Sequence, residues 1–126
     1  MKLIIDTHIM LWWLDDDSRL SRRSRAVIAA PDNCVLVSQV SLWEIAIKHR
    51  VGKLHVGPAD IFPRLTEFGF ELLQLANAHL FALERLPVLH GDPFDHLLLA
   101  QAVHEEAVMM SADRIMQQYG VPCLPA

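Results

Sequence analysis

The stretch Met1-Lys2-Leu3-Ile4-Ile5-Asp6-Thr7-His8 decides the fold. Leu3 to Ile5 is an unbroken apolar run rich in β-branched residues, the pattern of a strand buried on both faces, and it stops at a carboxylate, Asp6. Thr7 can cap a helix whose apolar residues (Ile9, Met10, Leu11, Trp12, Trp13) begin at once, so Asp6 falls at a strand-to-helix turn. In an open parallel sheet, ligands bind outside the carboxyl ends of the strands. A turn aspartate can also do no more than help cap its helix, and the later acids decide between the two readings.

Outward from this start, the alternation of strand and helix recurs. Ser18 to Ala30 reads as a helix with its arginines outward, and Pro31-Asp32-Asn33 as a turn. Cys34 to Val37 is a second buried strand. Ser38 to Lys48 follows as an almost wholly apolar helix interrupted by Glu44, and Gly52 closes it because glycine adopts the left-handed conformation at little cost. Pro58 to Phe68 predicts a helix, Phe70 to Leu75 a strand, and Ala78 to Leu86 a helix broken by Pro87. Residues 92–106 carry the clearest helix pattern, with Asp92 as cap and Pro93 at the first helical position, where a missing N–H is harmless. Ala107 to Ser111 is a strand, Asp113 to Tyr119 a short helix and Val121 to Leu124 a last strand. The prediction is one domain, 1–126, of the α/β class: a central parallel sheet of about five short strands with helices on both faces. Asp6 and the Ser111-Ala112-Asp113 turn then share one edge.

A chain of 126 residues, 52% of them hydrophobic, with mean hydropathy +0.25, is built to bury a single core and is not disordered. No apolar run approaches the roughly 20 residues that span a bilayer, and the charged start does not fit a secretory signal, so the expected location is cytoplasmic, away from membranes. Cys34 and Cys123 lie in short apolar stretches without ligand spacing and are expected reduced and buried. A net charge of −4 argues against nucleic-acid binding by bulk electrostatics alone. Local attraction remains open through Arg19, Arg22, Arg23 and Arg25 and through Lys48, Arg50 and Lys53, while Asp15-Asp16-Asp17 reads as a solvated patch.

Four carboxylates stand where carboxylates are awkward. Asp6 and Asp113 each follow a buried strand, and Glu44 sits between Trp43 and Ile45. Asp95 shares a helical stripe with Leu98, Leu99 and Ala102. A buried, unpaired charge costs several kcal/mol, so each acid needs a cation. Single-residue alternatives exist: Glu44 and Lys48 form a favourable i,i+4 pair, Asp113 can cap a helix, and Asp95 can serve the helix dipole. A carboxylate-only set suits Mg²⁺ or Mn²⁺, whereas the seven histidines make no zinc-ligand spacing and a His8, His90, His96 site is disfavoured. Clustered acids holding such ions are a recurring device for cutting phosphodiesters.

The segments Ile4-Ile5-Asp6-Thr7-His8, Ser41-Leu42-Trp43-Glu44-Ile45-Ala46-Ile47-Lys48, Asp92-Pro93-Phe94-Asp95-His96-Leu97-Leu98-Leu99-Ala100-Gln101-Ala102 and Ser111-Ala112-Asp113 together resemble the PIN-domain nucleases of the VapC toxin type. The resemblance runs over essentially the whole chain. It implies a PIN-like three-layer sandwich and a Mg²⁺- or Mn²⁺-dependent endoribonuclease acting on RNA. It also implies the toxin half of a toxin–antitoxin pair, dimeric and silenced by a small cognate antitoxin. Position by position it assigns Asp6, Glu44, Asp95 and Asp113 as catalytic and metal-holding acids, with Thr7 and Ser111 as supporting hydroxyls. Asp92 is read as the cap that accepts the Asp95 N–H. His96 departs from the pattern, which more often has arginine after the aspartate.

Rival classes fit less well. A receiver-like signalling domain needs paired acids after the first strand and a lysine after the fifth, and a haloacid-dehalogenase-type phosphatase needs a second aspartate after Asp6. A non-catalytic RNA-binding relative is disfavoured by the four intact acids. Trp12, Trp13, Leu42 and Trp43 exceed what two helices need for their core, predicting that some of them meet a partner.

Overall fold

The computed structural model describes residues 1–126. Its strands are β1 (Lys2–Ile5), β2 (Cys34–Ser38), β3 (Glu71–Leu73), β4 (Val108–Met110) and β5 (Cys123–Leu124). Between them run α1 (Thr7–Leu14), α2 (Arg22–Ala29), α3 (Gln39–Arg50), α4 (Pro58–Glu67), α5 (Asn77–Glu84) and α6 (Pro93–Glu105), with a 3-10 helix at Arg114–Tyr119. All strand pairs are parallel, in the order β3-β2-β1-β4-β5. Ile5 at the end of β1 is in register with Val37 on one side and Met110 on the other.

Strand pleating divides the core into two layers. Leu3, Ile5, Val35, Val37 and Met110 face α1, α2 and α4. Ile4, Leu36 and Met109 face α6 and the 3-10 helix, with Ala82 and Leu83 of α5 packed alongside. Both faces of the sheet are thus covered, as the near-continuous apolar strands require. Helix α3 serves both layers, through Ile45 in one and Val40 in the other.

Several boundaries differ from the sequence expectation for local reasons. Asp6, not Thr7, caps α1: its Oδ1 accepts the Ile9 N–H at 2.9 Å. The predicted 18–30 helix is shorter, because Asp17 accepts the Arg19 N–H and Ser21 accepts the Ser24 N–H, so helix begins only at Arg22. Strand β3 is trimmed to Glu71–Leu73 because it is an edge strand, paired only along Leu36–Ser38. Gly52, just past the end of α3, has φ +80, the left-handed geometry read from the sequence.

The strand order also removes a rival. A receiver-type doubly wound sheet runs 2-1-3-4-5, whereas here the chain winds outward from β1 through β2 to β3 and then jumps back to β4 beside β1. That jump makes a switch point between β1 and β4, where the crossover connections leave in opposite directions and open a crevice above the carboxyl ends. No helix is long and apolar enough to cross a membrane.

Candidate active site

An open cleft of about 360 Å³ lies at this switch point, lined by Asp6, Glu44, Asp92, Asp95 and Asp113, together with Thr7, His8, Trp12, Arg19, Lys48 and Ala112. The fold therefore brings together four acids that lie far apart in the chain. Asp6 ends β1, Asp113 follows β4, Glu44 projects from the second turn of α3, and Asp95 from the first turn of α6.

The acids differ in environment. Asp6 is buried at 5% exposure, and none of the structure's ion pairs involves it. Burial lifts its carboxyl above the usual range, against the pull of hydrogen bonds from Ser111 and the Ile9 N–H and of nearby His8, and Asp95 adds repulsion. Asp95 is half-buried and likewise raised, first by burial; a hydrogen bond from His90 opposes this, while Asp92 and Glu44 add negative charge. Two carboxylates lifted by burial, each with further negative charge beside it, are groups short of positive charge.

Glu44 is buried but already partnered. Its Oε1 accepts the Thr7 hydroxyl at 2.8 Å and its Oε2 the Lys48 ammonium at 2.6 Å. Thr7 Oγ1 also shares a hydrogen bond with Ser41 Oγ at 3.0 Å. The i,i+4 pair anticipated from sequence thus exists, and it stands in the cleft wall. Asp113 is exposed at the rim, where it caps the 3-10 helix by accepting the Ile115 N–H at 3.1 Å; burial does not explain its charge. Ser111 is buried, and its Oγ accepts the Asp113 N–H at 3.1 Å. Asp92 Oδ1 accepts the N–H groups of Phe94 and Asp95 at 2.9 and 3.2 Å, the capping duty read from the sequence.

The cleft's donors are mainly carboxylate oxygens, with His8 the one histidine and no cysteine among the lining residues, which suits a hard divalent cation. The unpaired Asp6 is the particular observation that fits one: a buried carboxylate without a cation is costly, and a divalent ion removes the deficit. The His8, His90, His96 combination forms no zinc site, since His90 Nε2 faces Asp95 at 3.0 Å and His96 Nε2 is bonded to the His90 carbonyl at 2.7 Å. His96 is thus a bracket for the loop before α6 and does not line the cleft.

Elsewhere, ligand atoms of His79, His104 and Glu105 lie within 4.8 Å of one another. Ring protonation argues against a metal there. His79 Nδ1 accepts the Ala76 N–H at 3.0 Å, which leaves the neutral ring's proton on Nε2, donated to Glu105 Oε2 at 3.0 Å. Buried His79 is a helix cap, extended inward by Gln101 and Ser38. Sequence reading missed it, as it missed Tyr119; Arg19, read from sequence only as part of a basic cluster, and Trp12, read as a candidate partner contact, line the cleft with guanidinium carbon and ring centroid 4.9 Å apart. Only spatial proximity identifies these. Of the four large hydrophobes expected in excess, Trp12, Trp13 and Leu42 pack partly buried on the core, and only Trp43 remains exposed.

The geometry is that of a known class. The chain matches the PIN domain over residues 3–122 and belongs to the PIN domain family. Its backbone superposes on a structure of VapBC2 from Rickettsia felis bound to a promoter DNA fragment, with TM-score 0.75 at 16% identity, covering 99% of this chain and 98% of that one. It is similar also to VapBC-1 from nontypeable Haemophilus influenzae, with TM-score 0.68, 13% identity and 99% and 98% coverage. The PIN domain endonuclease Utp24 gives TM-score 0.58 at 14% identity, over 99% of this chain and 84% of the other. No curated protein matches the sequence.

Proposed function

We propose that this PIN domain is a Mg²⁺- or Mn²⁺-dependent endoribonuclease, the VapC-type toxin of a toxin–antitoxin pair, held inactive in the cytoplasm by a small cognate antitoxin and working as a homodimer. The observation that carries the nuclease reading is the convergence of Asp6, Glu44, Asp95 and Asp113 on one switch-point cleft, with buried Asp6 left without a cationic partner. The VapBC complexes among the structural neighbours support the antitoxin partner.

A divalent ion bound by such acids supplies an activated water and stabilises the charge that builds on the attacked phosphate. Asp6, Asp95 and Asp113 are the residues that would hold it, with Glu44 completing the set. Thr7 and Ser111 act on those acids: Thr7 fixes one oxygen of Glu44, and Ser111 holds the Asp113 turn by accepting its N–H. Lys48 and Arg19 put positive charge beside the carboxylates, which a polyanionic strand needs in order to approach. Purified protein freed of antitoxin is expected to cut single-stranded RNA with Mg²⁺ or Mn²⁺ and to stop in excess EDTA. Robust cutting in EDTA would overturn the metal-dependent reading.

A further inference from the structure

His90 lies in the loop before α6, behind the cleft wall formed by Asp95. Its Nε2 is 3.0 Å from Asp95 Oδ2, and its Nδ1 is 2.7 Å from the hydroxyl of Tyr119, the last residue of the 3-10 helix. The same hydroxyl oxygen accepts the backbone N–H groups of Leu89 and His90, at 3.0 and 3.2 Å.

These contacts determine which way every proton points. A phenol offers one O–H and two lone pairs. Both lone pairs of Tyr119 are taken by backbone donors, so its own proton goes to His90 Nδ1. The neutral imidazole then carries its hydrogen on Nε2 and donates it to Asp95. The ring cannot turn over without placing an N–H against the tyrosine proton or leaving Asp95 without a donor. His96 adds a second restraint by donating to the His90 carbonyl at 2.7 Å, with its ring set edge-on to His90 at 4.9 Å between centroids.

We propose that His90, oriented by Tyr119, is a positioning residue for Asp95: it occupies Oδ2 as a hydrogen-bond donor and so presents Oδ1 to a cation in the cleft. The chain Tyr119–His90–Asp95 also spans two elements that carry acids, because the 3-10 helix ending at Tyr119 is the one capped by Asp113. One hydrogen-bonded link therefore sets the spacing of the α6 acid against the acid after β4. Partners of this kind, behind a ligand, change metal affinity or activity by roughly 10–100-fold when removed. The inference rests on the reading of Asp95 as a metal-holding carboxylate.

The test titrates Mn²⁺ alone into the full chain by calorimetry, with no RNA present, and normalises to the folded fraction measured by thermal melts. His90→Ala is expected to bind about tenfold more weakly than the parent. His90→Gln, which places an amide N–H near the Nε2 position, is expected to recover most of the affinity, and Tyr119→Phe to fall between. Nitrogen-15 spectra of the metal-free parent are expected to show the Nε2–H tautomer at His90, giving way to a mixture in Tyr119→Phe. Unchanged affinity in His90→Ala, with the parent binding Mn²⁺, overturns this inference and leaves the metal reading standing. A proton on Nδ1 in the parent overturns it whatever the affinities. A parent that binds no Mn²⁺ overturns the metal reading, and the positioning role falls with it.

Discussion

Thr7 and Glu44 meet at 2.8 Å, the threonine hydroxyl donating to the carboxylate across 37 positions of chain. The contact joins the first residue of α1 to the second turn of α3, and Ser41, one turn before Glu44, closes the triangle. Glu44 therefore stands in the cleft with one oxygen on Thr7 and the other on Lys48, an orientation imposed from both sides.

Removing that hydroxyl without changing shape tests its part in the site. Thr7→Val leaves a buried carboxylate oxygen short of a donor and is expected to cost about 1–3 kcal/mol of stability, read by urea denaturation. Thr7→Ser keeps the donor and is expected to retain most of it. Metal-dependent cleavage should follow the same order. Equal stability of the valine and serine variants would show that the hydroxyl does not hold Glu44.

The pH dependence of stability follows from the raised carboxyl of Asp6. A folded-state acid lifted by burial above its unfolded value binds its proton more tightly in the native chain. Its contribution to the stability of the metal-free protein is therefore full below the unfolded pKa and is lost as pH rises through the folded pKa, the opposite of a salt-bridged carboxylate. Asp6→Asn removes the charge and keeps the cap, since asparagine caps about as well as aspartate. At pH 7, without metal, it is expected to melt roughly 3–6 °C higher than the parent, about what 1 kcal/mol gives in a domain of this size. The gain should shrink toward pH 4. A variant that melts lower at pH 7 contradicts the picture of an uncompensated charge.

Asp92 and Asp95 are separable by the same chemistry. Asp92 Oδ1 accepts two backbone N–H groups at the start of α6, so Asp92→Asn should preserve stability and much of the cleavage, whereas Asp92→Ala should lose about 1 kcal/mol. Asp95→Asn should fold as well as the parent, because repulsion from Asp92 and Glu44 is relieved, yet lose more metal-dependent cleavage than the roughly 10–100-fold that removing a group behind the ligands costs. Cleavage assays on the purified variants, normalised to folded protein, decide the assignment. Full activity in Asp95→Asn would remove Asp95 from the site.

The layering of this protein is written in local pattern. Apolar runs that end at Asp6, Ser38 and Ser111 are satisfied as strands buried on both faces, and Asp92-Pro93 starts a helix because neither residue needs what a helix N-terminus lacks. Asp6, Glu44 and Asp95 stood out as candidates for the same reason, since a carboxylate inside or at the end of an apolar run is costly where the run is buried; Asp113, exposed at the rim, was marked only by following a strand. What the acids touch was not legible. Glu44 is held by Thr7, Asp95 by His90, and His90 by Tyr119, and each of these bonds depends on strand order and on the packing of α6 against the 3-10 helix. Burial could not be read at single positions either: Asp6 and Asp113 follow equivalent strands, yet the central β1 buries the first while the turn after β4 leaves the second at the rim. Patterning acts over a few residues and selects helix or strand, whereas hydrogen-bond partners and desolvation are properties of a place in space, and only the tertiary structure assigns the place.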